Sequence, residues 1–169
     1  GLREQKSIQL NFIQQEEKPQ SMGSLPLSSV FGNSSGMKTQ TLESLSGQKG
    51  IIIGWLDPDR EPTKHTMSDF KLLSGEFEKW GGGILFLLPA DKAGNVLNES
   101  TFPGLPPQSV FGVDKYGMLA LAEKNLKSSF NNNYPVFVVV DKNGQILDFS
   151  CGYKIGRGEQ LVKMLKHLN

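Results

Sequence analysis

Hydrophobic and polar positions repeat with two different periods along this chain. Residues 7–13, SIQLNFI, set Ile8, Leu10 and Phe12 against polar neighbours, the period of a half-buried strand. Residues 14–37 are rich in Gln, Glu, Ser, Gly and Pro and read as a long excursion with at most short structure. Residues 37–50 resemble a strand edge followed by a turn at Gly47. GIIIGWL (50–56) is an unbroken apolar run with β-branched residues, which suits a central strand covered on both faces. DPDREP is turn chemistry, and Pro62 is well placed near a helix start, where its missing N–H costs nothing. Met67, Phe70, Leu73, Phe77 and Trp80 then recur every three or four residues, the apolar face of one helix that GGG at 81–83 ends.

The second half is more regular. ILFLL (84–88) predicts another buried strand, and 89–108, with its prolines, a loop. SVFGVD (109–114) predicts a third strand and GMLALAEKNLK (117–127) a helix. PVFVVV (135–140) and QILDFSCGY (145–153) flank DKNG, and Asn143–Gly144 between two apolar runs is a strong hairpin signal. A last helix puts Leu161, Leu165 and Leu168 on one face. Alternating β and α elements closed by an antiparallel hairpin predict a mixed central sheet with helices on both faces, a three-layer α/β sandwich. At 169 residues one well-buried core is expected. Residues 1–36 are read as an N-terminal β extension and loop of the same domain, and 37–169 as its core.

Charge and composition then narrow the function. The formal charge is +1, so nothing points to nucleic acid or a membrane surface, which favour a basic excess. No apolar run approaches the roughly 20 residues that span a bilayer. The chain begins at Gly1 with no initiator methionine or signal segment, and it reads as starting midway through a longer polypeptide. Cys151 is the sole cysteine, so one chain can form neither an internal disulfide nor a dithiol.

Two stretches carry a family resemblance. YPVFVVVDKNGQILDFSCGY resembles the closing portion of thioredoxin-like proteins, in the branch of thiol-disulfide oxidoreductases and peroxiredoxins. LESLSGQKGIIIGWL resembles the lead-in of the same branch. The resemblance implies a thioredoxin-like sandwich and makes Pro135 the counterpart of the family's cis-proline beside the active loop. Tyr134–Pro135 is an X-Pro bond, for which cis costs only about 0.5–1 kcal/mol; an ordinary trans proline opening a strand is the local alternative. LREQKSIQL, DPDREPTKH, FEKWGGGILFLLP and CGYKIGRGEQLVKMLKHL further resemble the C-terminal region of large bacterial transglutaminase-like proteins. That resemblance implies an exported, extracytoplasmic polypeptide whose hydrolase core lies upstream, outside these residues.

In this branch the strand-to-helix junction carries Cys-x-x-Cys; here Asp57 to His65 hold no sulfur. Disulfide exchange needs an attacking thiolate and a resolving thiol, so this loop is expected to be redox-inactive. Period two puts Cys151 on one face with Leu147, Phe149 and Tyr153, pointing it at the core as a small hydrophobe. Glu61 and His65, four apart, share a helix face, with Asp57 and Asp59 just ahead. Several roles fit: a helix-capping carboxylate with a packed imidazole, a metal site on Asp57, Asp59, Glu61 and His65, or His65 as general base oriented by Glu61. No cofactor is expected. The candidate contact surface is Trp55, Asp57, Glu61, Thr63, His65, Tyr134 and Pro135, meeting upstream domains of the same polypeptide or a protein or peptide partner. Trp55 either lines a peptide groove beside Tyr134 or is a core aromatic.

Overall fold

The computed structural model describes residues 19–34, 37–95, 97–98 and 100–168; the strand expected at 7–13 lies outside them. In chain order come β1 (Gly23–Ser24), β2 (Val30–Asn33), β3 (Thr39–Thr41), a single helical turn α1 (Glu43–Ser46) and β4 (Ile51–Trp55). Helices α2 (Glu61–Leu72) and α3 (Ser74–Trp80) lead to β5 (Gly83–Leu88), β6 (Ser109–Val113) and α4 (Met118–Leu126). The hairpin β7 (Val136–Val140) and β8 (Gln145–Cys151) precedes α5 (Arg157–Met164) and a short 3-10 turn. Among the described residues no helix is long and apolar enough to cross a membrane.

Among the described residues eight strands form one sheet in the order β1-β8-β7-β4-β5-β6-β2-β3. β4 runs parallel to β5 and antiparallel to β7, so it is paired along both edges. Its faces are covered as well. Ile52, with Phe86 and Phe137, packs under α2, α3 and α5; Ile51, Ile53 and Trp55 pack with Leu85 and Val138 under α1 and α4. Burying each of these large apolar side chains contributes about 1.5–3 kcal/mol, which is why the run carries no alternation. Gly54 sits opposite Phe137, and a Cβ there would lie 2.5 Å from Phe137 Cε1. The ring therefore needs glycine beneath it. Phe70 of α2 then stacks on Phe77 at 4.7 Å and Phe137 at 5.6 Å, and meets Phe86 edge-on at 5.1 Å.

Two expectations change. The single helix is two, because Leu73 leaves helical geometry (φ −102°, ψ 14°) where Ser74 and Gly75, weak helix formers, follow. Leu73 N still donates to the Asp69 carbonyl and Phe77 N to the Leu73 carbonyl, so the apolar face continues through the break. The excursion at 14–37 carries short structure, as expected: β1 and β2, held by β8 and β6 respectively. Finally, Leu147 does not share a face with Phe149 and Cys151. A register shift between Val139 and Val140 sends Leu147 into the core under α2 and α5 while Phe149 and Cys151 pack on the α4 side. Gly152 (φ 77°) ends the strand, and Tyr153 turns toward α2.

The shift also leaves Asp148 opposite Val139, facing the start of α5. Burial pushes its carboxyl above the ordinary range, and the Arg157 charge and a backbone hydrogen bond at Phe149 only partly oppose this. A carboxyl raised in the folded state keeps its proton after the unfolded chain has lost it. Stability therefore falls as pH rises from the ordinary carboxylate value through the raised one. Asp148→Asn removes that loss. In urea unfolding the variant should gain on the parent between pH 4 and pH 7; a difference independent of pH would contradict the buried carboxyl.

Candidate functional site

The site region begins where β4 ends. Trp55, the last residue of β4, is fully buried, and its indole N–H donates to Asp114 Oδ2 at 2.9 Å. Asp114, directly after β6, is itself buried. Its Oδ1 accepts the Met118 N–H at 2.7 Å and its Oδ2 the Leu119 N–H at 2.8 Å. One carboxylate thus closes the start of α4 and fixes the indole, where backbone N–H groups and the helix dipole favour negative charge. Sequence reasoning passed over Asp114. The signal was an Asp between an apolar strand and a helix of good formers.

The loop from Asp57 to Arg60 is held by its own polar groups. Asp57 Oδ1 accepts the Asp59 N–H at 3.0 Å, and Arg60 Nε lies 3.4 Å from Asp57 Oδ2. The Thr63 hydroxyl, buried in the first turn of α2, donates to the Asp57 carbonyl. Arg60 is the N-cap, Pro62 lies in the first turn and Thr63 is the third helical residue. No sulfur lies on this loop.

Across from the loop, the Tyr134–Pro135 peptide bond is cis and Pro135 is buried, while Tyr134 is half-buried. Burial, then the charges of Asp91, Asp114, Asp57 and Glu123, hold the Tyr134 hydroxyl above its ordinary value. The phenol thus faces acidic surroundings and keeps its proton near neutral pH. Trp55 is thus tied to Asp114, and Tyr134 lies within the field of Asp114 and Asp57.

Glu61 and His65 stand apart on the exposed side of α2. His65 Nε2 is 3.7 Å from Glu61 Oε1, with more than half of each side chain in solvent. The His65 ring lies 5.5 Å from that of Tyr153, whose hydroxyl donates to Asp69 Oδ2 at 3.2 Å. Burial raises the Asp69 carboxyl against the lowering effect of that hydrogen bond. Tyr153 is a second residue that sequence reasoning missed as a contact group, because strict alternation placed it in the core.

Several assignments need correction. Trp55, Asp57, Thr63 and Pro135 are all buried, so none of the four presents a side chain for a partner to grip. What remains outward is Glu61, His65 and Tyr134, joined by Tyr153. Asp57, Asp59, Glu61 and His65 do not converge as a metal site: among the described residues no three Asp, Glu, His or Cys side chains are grouped to hold an ion. Cys151 is half-buried, packed on the α4 side of the sheet, and pairs with Val136 next to Pro135. α2 packs on the opposite face of the sheet.

No protein-family model matches this chain, and no curated protein does. Solved structures do match. A protein described as thiol:disulfide interchange protein DsbE from Chlorobium tepidum superposes with TM-score 0.64 at 14% identity, covering 90% of this chain and 100% of its own. The exposed lipoprotein thioredoxin of Streptococcus pneumoniae gives TM-score 0.57 at 17% identity, with 83% and 98% coverage. Peroxiredoxin Q of Xanthomonas campestris gives 0.60 at 19% identity, with 87% and 97% coverage.

Replacing Asp114 tests how the site is held. Asp114→Ala leaves a buried indole N–H and two helix N–H groups without acceptors, and should cost about 3 kcal/mol in urea unfolding. Tryptophan emission should change with it; a cost below about 0.5 kcal/mol would contradict the hydrogen bonds described. With one sheet, flanking helices and these neighbours, the chain has the thioredoxin-like fold.

Proposed function

We propose that this chain is a thioredoxin-like domain that binds a protein partner and carries out no dithiol chemistry. The observation that carries this reading is the start of α2, where the scaffold is complete and the sulfur is missing. A helix N-terminus lowers the pKa of a thiol placed there, which is what makes such a position reactive. Here Arg60, Glu61, Pro62 and Thr63 occupy the turn, and Thr63 uses its hydroxyl to tie the loop. Cys151 has no second thiol in the chain to resolve a mixed disulfide.

The contact surface in this reading is Glu61, His65 and Tyr153 on the α2 side of the sheet, with Tyr134 on the α4 side. Gly152 N donates to both the Asn133 and Pro135 carbonyls, which ties the Tyr153 end to the Tyr134 end. Aromatic residues with polar tips supply contact area at low entropic cost. The similarity of four segments to transglutaminase-like chains supports placing the domain at the end of a larger exported polypeptide. A neighbour described as an exposed lipoprotein agrees with an extracytoplasmic setting. Catalysis by His65 with Glu61 is the weaker reading: their 3.7 Å separation exceeds the about 3 Å a base and its orienting carboxylate keep, and both groups lie in solvent.

Two measurements test this. With dithiothreitol as reductant, the chain should reduce insulin disulfides no faster than buffer does; turnover like that of a dithiol enzyme would contradict the proposal. A photo-crosslinking residue at Tyr134 should capture partner protein from extract where the same residue at Lys142, in the distant hairpin turn, does not. Equal capture at both positions would remove the assigned edge.

A further inference from the structure

A trough runs along α2 on the side that faces the loop after β5. One part, about 240 Å³, lies between Lys64, Met67 and Lys71 of α2 and Phe102, Pro103 and Leu105 of the loop. The adjoining part, about 470 Å³, shares Lys64 and Phe102 and reaches Pro58 and Asp59. Its floor is apolar: Met67 is almost fully buried, and Phe102 and Leu105 pack against the core. Its rim is basic. Lys64 and Lys71 are exposed, and neither ammonium has an ion-pair or hydrogen-bond partner among the described residues. Among the described residues the rim carries one carboxylate, Asp59, answered by Lys92 at 3.5 Å. Gly104 (φ 85°) lets the loop close on the Lys71 stem, where a Cβ would lie 3.0 Å from Cε.

We propose that this trough docks an extended acidic segment of a partner protein, independently of the Tyr134 edge. Two cations with no counter-charge among the described residues, beside an apolar floor, call for carboxylates beside apolar side chains. Lys64 and Lys71 are seven residues apart, a rise of about 10.5 Å along the helix. Extended chain covers that span in three to four residues, and flexible lysine stems take up the difference. In a Glu-Leu-Ser-Phe-Glu segment the Leu and Phe share one face and reach Met67, Phe102 and Leu105. The two Glu residues lie on the other face, level with the lysines at the rim.

The test is a nitrogen-15 amide titration of the whole chain with acetyl-Glu-Leu-Ser-Phe-Glu-amide, its Gln counterpart, and dodecanoate. The acidic peptide should shift the amides of Met67, Ser68 and Phe102 saturably. Affinity should fall at least tenfold for the Gln peptide and for the Lys64→Glu/Lys71→Glu variant, whose changes lie on the surface. Equal binding of the Gln peptide, an unaffected double variant, or shifts confined to the Tyr134 edge would each overturn the proposal. So would shifts with dodecanoate alone, which would mark a fatty-acid site. Shifts at the trough on diluting the free protein would mark a second copy as the occupant and overturn it equally.

Discussion

Enclosing β4 on both edges and both faces leaves its end no freedom. Trp55 goes to the α4 side and is fastened there by Asp114, while Leu56 goes to the core under α2. The chain must then reverse within four residues to lay Met67 and Phe70 back over the same sheet. Asp57 governs that reversal through the Asp59 N–H, the Arg60 side chain and the Thr63 hydroxyl. The junction where this architecture presents a reactive group is here filled by the polar contacts that make the turn.

That difference decides the chemistry more than any surface charge does. An N-cap position on an exposed helix start, a Pro in the first turn and a buried third residue constitute a complete entrance. What is missing is the atom type that exchanges disulfides. Cys151 does not replace it, because the sheet separates its packing environment from that of α2. The surfaces left to act are the Glu61, His65, Tyr153 and Tyr134 edge and the lysine-rimmed trough on the other side of the same helix. In the proposed reading α2 contributes to both, through Glu61 and His65 to one and through Lys64 and Lys71 to the other.

The sheet was legible because continuous apolar runs such as IIIGW and VFVVV have one explanation, burial on both faces. The hairpin was legible for a similar reason, since Asn-Gly between two such runs admits one turn. What hid was whatever depends on tertiary partners. β1 and β2 are short and polar-flanked, and hold as strands because β8 and β6 offer free edges. The exit of Leu73 from helix geometry leaves the apolar spacing intact, so periodicity alone sees one helix. The bulge beside Leu147 shifts alternation by one position, which no local pattern announces. Candidate site residues were located on the chain but not in depth: Trp55 and Thr63 belong to the region and lie beneath its surface.

The central claim is that the scaffold kept everything except sulfur, and restoring sulfur tests it most directly. Arg60→Cys/Thr63→Cys places thiols at the N-cap and third helical residue, three apart on a helix start, within the about 4.4–6.8 Å Cα separation a disulfide spans. The account predicts that this folded double variant forms an internal disulfide and gains insulin-reducing turnover. A variant that folds, places both thiols and still shows no turnover would contradict it, because the entrance would then lack more than its cysteines.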